Sequence, residues 1–199
     1  MILSVAIVGR APRVEGAVAD DVLLTRFAQG DRDALGELFD RHHRATYRFL
    51  ARLTGAHAAD LDDLVQSTFV EVARAASRFD GRATVRTWLF GIGLNVARHY
   101  RRGIARRRRV ITETFDERPS QIPGVDRPDQ AAERSELLGA LDRAIVELPT
   151  PLREAFVACE LEELPGADVA RLLGVPVGTV FRRLHDARKA LRAALKEPS

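Results

Sequence analysis

Leu164–Leu191 reads LPGADVARLLGVPVGTVFRRLHDARKAL, and its spacing predicts a helix, a tight turn and a second, strongly basic helix. Val169, Ala170, Leu172 and Leu173 fall at the intervals that put apolar side chains on one helix face. Gly174 follows at once, and without a Cβ it can take the left-handed conformation that closes a helix. Pro176 marks the next start, since its fixed φ suits a first turn and breaks an interior. Beyond it Val180, Leu184, Ala187 and Leu191 form one apolar stripe. Arg182, Arg183, His185, Arg188, Lys189 and Arg192 crowd the remaining surface. A helix with one face to dock and a cationic face to spare suits the DNA major groove. A solvated αα-hairpin would carry the same periodicity, so the decision rests on the rest of the chain.

Working outward, Leu137–Leu148 keeps the 3.6-residue period through Leu138, Leu141 and Ile145. Thr150 and Pro151 supply a cap and a first-turn proline for a helix running through Phe156. Before this block, Glu113–Glu136 is different in kind. Pro119, Pro123 and Pro128 interrupt it, and its carboxylates outnumber Arg118, Arg127 and Arg134. Such a stretch buries too little apolar surface to order itself and reads as a flexible acidic linker. From Asp20 to about Val110 the pattern is helical again. Leu23, Leu24 and Phe27 open it, and Asp31 and Asp33 offer caps for a helix that Gly55 ends. Asp60–Arg78 follows with Leu61, Leu64, Val65, Phe69 and Val72 inward, then Val85–Tyr100 through Trp88, Leu89, Ile92 and Val96. Residues 1–19, with Gly9, Pro12 and Gly16, read as a flexible extension. No strand pattern appears. The expected architecture is all-α: small helical domains over 20–112 and 137–196, joined by the linker at 113–136.

Composition narrows the function classes. The 199-residue chain, 46% hydrophobic, can bury one or two small cores. Net charge is only +3, so the distribution of charge matters more than its sum. Cys159 is the one cysteine, which excludes an internal disulfide and any multi-thiolate zinc site. Met1–Val8 is apolar but lacks a basic leader, and no apolar run approaches a membrane span. A cytoplasmic protein with no membrane insertion is expected. No HExxH, no Walker glycine loop and no catalytic constellation occurs, so neither an enzyme nor a cofactor is expected.

The charges concentrate at one place. Arg98, Arg101, Arg102 and Arg106–Arg109 fall within twelve residues, a density that repels itself unless a polyanion or acidic neighbour compensates it. Just upstream, Phe79, Trp88, Phe90 and Tyr100 interleave with Arg82, Arg86 and Arg98. Aromatic and cationic side chains together suit unstacked bases, although Trp88 and Phe90 on a helical stripe suit a core equally. Asn95 and His99, four apart, share a helix face. Asp60, Asp62 and Asp63 open their helix where its dipole favours carboxylates, and Gln66 continues that polar face.

With both blocks in hand, the chain resembles the extracytoplasmic-function (ECF) sigma factors of the sigma-70 family, from Asp20 to about Lys196. The residues that carry the resemblance are the opening at Asp31–His43, DLDDLVQSTFVEVAR at Asp60–Arg74, TWLFGIGLNVARHYRR at Thr87–Arg102 and PVGTVFRRLHDARKALR at Pro176–Arg192. The resemblance implies a subunit that directs RNA polymerase to promoters and melts them without catalysis. It places Asp60, Asp63 and Gln66 against the clamp helices of the polymerase β′ subunit. It assigns Phe79, Trp88, Asn95, Arg98, His99, Arg101 and Arg102 to the single-stranded minus-ten element. Thr179, Phe181, Arg182 and His185 would face bases of the minus-thirty-five duplex, with Arg183, Arg188 and Lys189 on phosphates and the domain against the β flap. An anti-sigma factor is the implied regulator. Phe181–Arg182 stands where the family commonly has Lys-Ser, so this chain's own sequence preference is expected there. The other reading is a stand-alone helix-turn-helix regulator, which leaves Asp60–Arg74 and the arginine cluster without a role.

Overall fold

A computed structural model describes residues 18–111 and 132–195, and every described element is helical. The order is α1 (Asp20–Ala28), α2 (Arg32–Thr54), α3 (Ala58–Ala75), a 3-10 turn (Ala76–Arg78) and α4 (Val85–Ile111). Then come α5 (Ala132–Glu147), α6 (Thr150–Phe156), a π turn (Val157–Leu161), α7 (Gly166–Leu173) and α8 (Val177–Ala194). Residues 1–17 of the extension expected over 1–19, and 113–131 of the linker expected over 113–136, lie outside the described residues; 132–136, expected as flexible linker, instead form the start of α5.

Local chemistry sets most boundaries. Asp31 caps α2, its carboxylate accepting from the Asp33 and Ala34 amides; Asp33 sits in the first turn instead. Gly55 closes α2 with φ 63° and Gly174 closes α7 with φ 68°, both left-handed positions. The Thr84 hydroxyl accepts from the Thr87 amide and opens α4. Thr150 is not the cap of α6: Pro149 holds that position, and Thr150 is already helical. Two helices outrun their apolar periods. α4 continues from Tyr100 to Ile111, because arginine and alanine are good helix formers whatever their charge. α5 begins at Ala132, before the period at Leu137 becomes visible, for the same reason.

In the first domain α1, α3 and α4 pack around α2. Phe49 of α2 and Phe90 of α4 meet at 4.6 Å between ring centres, both almost wholly buried; each such side chain contributes about 1.5–3 kcal/mol by burial. Asp20 ties α1 down, receiving Arg41 at 2.8 Å and lying 2.7 Å from His42 Nε2. The His42 hydrogen bond is the main reason its carboxyl sits below the usual range. In the second domain α5, α6 and α7 surround α8, whose Val180, Leu184, Ala187 and Leu191 are all buried.

The two domains are docked. Their buried residues form one continuous cluster from Leu23 to Leu191. A Cβ on Gly91 of α4 would lie 2.6 Å from Leu172 of α7, and one on Gly55 would lie 2.7 Å from Val146 of α5. Glycine at both positions therefore permits the close approach.

Candidate functional site

α8 presents the cationic face expected of it. Arg182, His185 and Lys189 are exposed, Thr179 is half-buried at the first turn, and Phe181 stands 59% exposed. One exposed ring is ordinary on a folded surface; its position among the cations of α8, one turn after the exposed Val177, is what makes it a candidate contact. Phe181 leans on the start of α7, where a Cβ on Gly166 would lie 3.3 Å from its ring. Two of the expected phosphate contacts are placed differently from the rest. Arg188 pairs with Glu160 of the π turn. Arg183 turns toward the first domain and lines a cleft of about 500 Å³ with Arg98, Arg101, Arg102, Thr150 and Glu154.

α4 spreads its functional candidates over two surfaces. At 3.6 residues per turn, His99, Asn95, Arg102, Arg98 and Arg101 sweep an arc of about 160°. Asn95 and His99 occupy one edge, in a groove of about 750 Å³ shared with Gln66, Ser67 and Val70 of α3. Arg98 and Arg101 occupy the other edge and meet Glu154 of α6. Arg98 donates to both carboxylate oxygens at 3.1 and 2.7 Å, and Arg101 to one at 3.1 Å. The Glu154 hydrogen bonds raise the Arg98 pKa above its ordinary value. Beyond them Arg86 donates to the Glu162 carbonyl and carboxylate, each at 2.7 Å, and its guanidinium lies 4.8 Å from the Phe90 ring centre. Burial pushes the Glu162 carboxyl above the usual range, against the pull of Arg86.

Phe79 and Trp88 flank the Asp80–Thr84 loop and meet edge to face at 5.3 Å, each half-buried. Phe90 is core, only 1% exposed. On α3, Asp63 and Gln66 are exposed, whereas Asp60 is half-buried and accepts the Tyr100 hydroxyl at 2.7 Å. Burial and that bond push Tyr100 up to about 12. The carboxylates Glu154 and Glu162 were not singled out by the sequence reading. Their one local signal is apolar company: Glu154 directly precedes Ala155–Ala158 and Glu162 follows Leu161, and a charged group drawn into a core beside such residues needs a buried partner.

No group of three or more His, Cys, Asp or Glu among the described residues is placed to hold a metal ion. No described helix is long and apolar enough to cross a membrane. The two helical blocks match two named patterns in order: Sigma-70 region 2 over residues 38–108 and Sigma-70, region 4 over 138–191. The ECF RNA polymerase sigma factor SigM of Mycobacterium tuberculosis is 36% identical over 177 residues, covering 89% of this chain and 85% of that protein.

The chain belongs to the sigma-70 family of RNA polymerase sigma factors.

The ECF RNA polymerase sigma-E factor of Haemophilus influenzae is 30% identical over 179 residues, covering 87% and 94% of the two chains. Among solved structures, CnrH in complex with the cytosolic domain of CnrY superposes with TM-score 0.66 at 31% identity, covering 92% of this chain and all of that one. The sigma factor RpoE of Bartonella quintana, solved with the anti-sigma factor NepR, shares the fold at TM-score 0.64 and 22% identity, over 82% of this chain and 98% of that one. The protein is thus an ECF sigma factor directing transcription initiation, a non-catalytic role. The region 2 match covers the block that a stand-alone regulator would leave idle.

Proposed function

We propose that this sigma factor places bacterial RNA polymerase on promoters through two separate contacts, residues 20–112 at the minus-ten element and 137–196 at the minus-thirty-five. The observation that carries the reading is the pair of region 2 and region 4 matches on one chain, each over a domain with its own exposed cationic helix. Asp63 and Gln66 on the open face of α3 dock the β′ clamp helices, with Asp60 holding the first turn of α3 to α4 through Tyr100. Trp88 and Phe79 form the wall against which an unstacked base rests, and Asn95 and His99 hydrogen-bond along the groove beside it. Arg98, Arg101 and Arg102 follow the strand's phosphates. Melting then needs no catalytic group: stacking of about 1–3 kcal/mol per base, with pocket contacts, offsets the few kcal/mol of unstacking.

In the second domain Phe181, Arg182, His185 and Thr179 read base edges. A phenylalanine ring there suits a thymine methyl. Arg183, Arg188 and Lys189 grip phosphates, which position without specifying, and the domain rests on the β flap. The protein works in the cytoplasm, has no enzymatic activity of its own, and takes an anti-sigma factor as regulator, in keeping with the CnrH–CnrY and RpoE–NepR complexes. The stretch at 113–131, between α4 and α5, sets the reach between the two contacts.

The assignment predicts a split. Asp63→Ala weakens binding to core polymerase while duplex minus-thirty-five binding by the assembled holoenzyme keeps its sequence preference. Arg182→Ala does the opposite, relaxing that preference by about 1–3 kcal/mol at one base pair with core affinity unchanged. Affinity titration and footprinting measure the two. Loss of both properties in either folded variant overturns the division of labour.

A further inference from the structure

We propose that Glu154 is an internal competitor for promoter phosphate, holding Arg98 and Arg101 in a closed form that cannot engage the minus-ten strand. The proposal rests on the reading of α4 as the strand's path. Glu154 comes from the second domain, yet its carboxylate is enclosed by two guanidinium groups of the first and is only 5% exposed. Arg98 grips it with two parallel donors and Arg101 adds a third, the fork geometry that arginine uses equally for carboxylate and phosphate. Carboxylate and phosphodiester cannot occupy those donors together. Arg102 and Arg183 line the same cleft without a carboxylate partner among the described residues, so the closed form also gathers surplus positive charge.

Closure is built into the backbone as well as the charges. Arg153, next to Glu154, donates to the Leu53 carbonyl at 3.0 Å, and Arg52 pairs with Asp142 at the same distance. Gly55 and Gly91 leave room for Val146 and Leu172. One movement, the second domain lifting from α2 and α4, frees both arginines and turns Arg183 outward with the rest of α8. A sigma factor so arranged binds DNA poorly until something separates its domains.

The test uses the full chain and a fluorescein-labelled, mixed-sequence single-stranded oligodeoxynucleotide, because phosphate contacts do not depend on base sequence. Glu154→Gln keeps the shape and removes the charge. We expect it to bind at least tenfold tighter than the native chain, with a steeper salt dependence. A second variant locks the closed form. The Cβ built on Gly55 lies 3.8 Å from the Val146 Cβ, the separation of a disulfide, and Val146→Cys removes the Cγ1 that this Cβ would meet at 2.7 Å. The strain of cysteine at the left-handed Gly55 is common to both redox states, so Gly55→Cys with Val146→Cys should bind at least tenfold tighter after reduction than before. Folded Glu154→Gln with native affinity would overturn the competitor role. Equal affinity of the crosslinked pair before and after reduction would overturn the masking, and decides the matter if Glu154→Gln fails to fold. Absence of single-strand binding in every form also overturns the proposal. If core-dependent transcription persists then, the promoter reading stands; if it is lost too, both fall.

Discussion

Arg86→Ala is the perturbation whose cost can be worked most directly. Arg86 satisfies the Glu162 carbonyl and carboxylate at once and lies over the Phe90 ring. Glu162 has only 6% of its side chain exposed, whereas Arg86 has 39%. Removing one partner of a fully buried pair costs about 3–5 kcal/mol because a charge is stranded. Water reaches the Arg86 side, so the expected cost here is about 1–3 kcal/mol. Glu162→Gln keeps a hydrogen-bond acceptor and should cost about 1 kcal/mol. The double variant strands no charge, so it should be less destabilised than the two single costs added, by about 1–2 kcal/mol.

The pH dependence carries a sign. Burial already holds the Glu162 carboxyl above its ordinary 4.5, and Arg86 is the largest influence pulling it down. Without Arg86 it rises further. A carboxyl raised on folding contributes stability that is complete below its unfolded pKa and is lost as pH rises through the folded one. Arg86→Ala should therefore show a smaller deficit at pH 5 than at pH 7, and the double variant should not. Urea melts followed by the fluorescence of Trp88, the one tryptophan, measure all four chains. Additive costs that do not change between pH 5 and pH 7 would refute the reasoning.

Two further outcomes follow from groups elsewhere. Tyr100, at about 12, and Tyr47, raised chiefly by burial, are the two tyrosines, so absorbance titration should show neither at the ordinary 10; Asp60→Asn should lower the Tyr100 step, and an unmoved step would contradict the bond between α3 and α4. Burial and Glu160 push the Cys159 thiol up to about 11, so a disulfide reagent at pH 8 should react with it at least tenfold more slowly in the folded chain than in urea, and equal rates would contradict its environment.

The helix-turn-helix was legible because its punctuation is local: Gly174 and Pro176 act within one turn of the residues they separate. Gly55 and the Asp31 cap were legible for the same reason. The ends of α4 and α5 were not, since arginine, alanine and glutamate carry helices on propensity without leaving an apolar period. Reading the arginine cluster as needing a polyanion or an acidic neighbour identified the physical demand. It did not identify the neighbour, because Glu154 lies 56 residues from Arg98 and nothing local links them. Glu162 and Arg86, 76 residues apart, were hidden in the same way. Thr150 misled because it stands beside a proline, yet the preceding Pro149 already takes the cap position. Docking of the two domains, which decides which arginines are free, is a tertiary fact that each domain's own pattern does not contain.

Run-off transcription by bacterial core RNA polymerase, from templates randomised at the minus-ten and minus-thirty-five positions, tests the central claim most directly. With this chain added, discrete transcripts should arise from a subset of templates sharing both elements, and Arg182→Ala should relax the minus-thirty-five preference alone. Binding of the chain to core without any template-selective product would contradict the account.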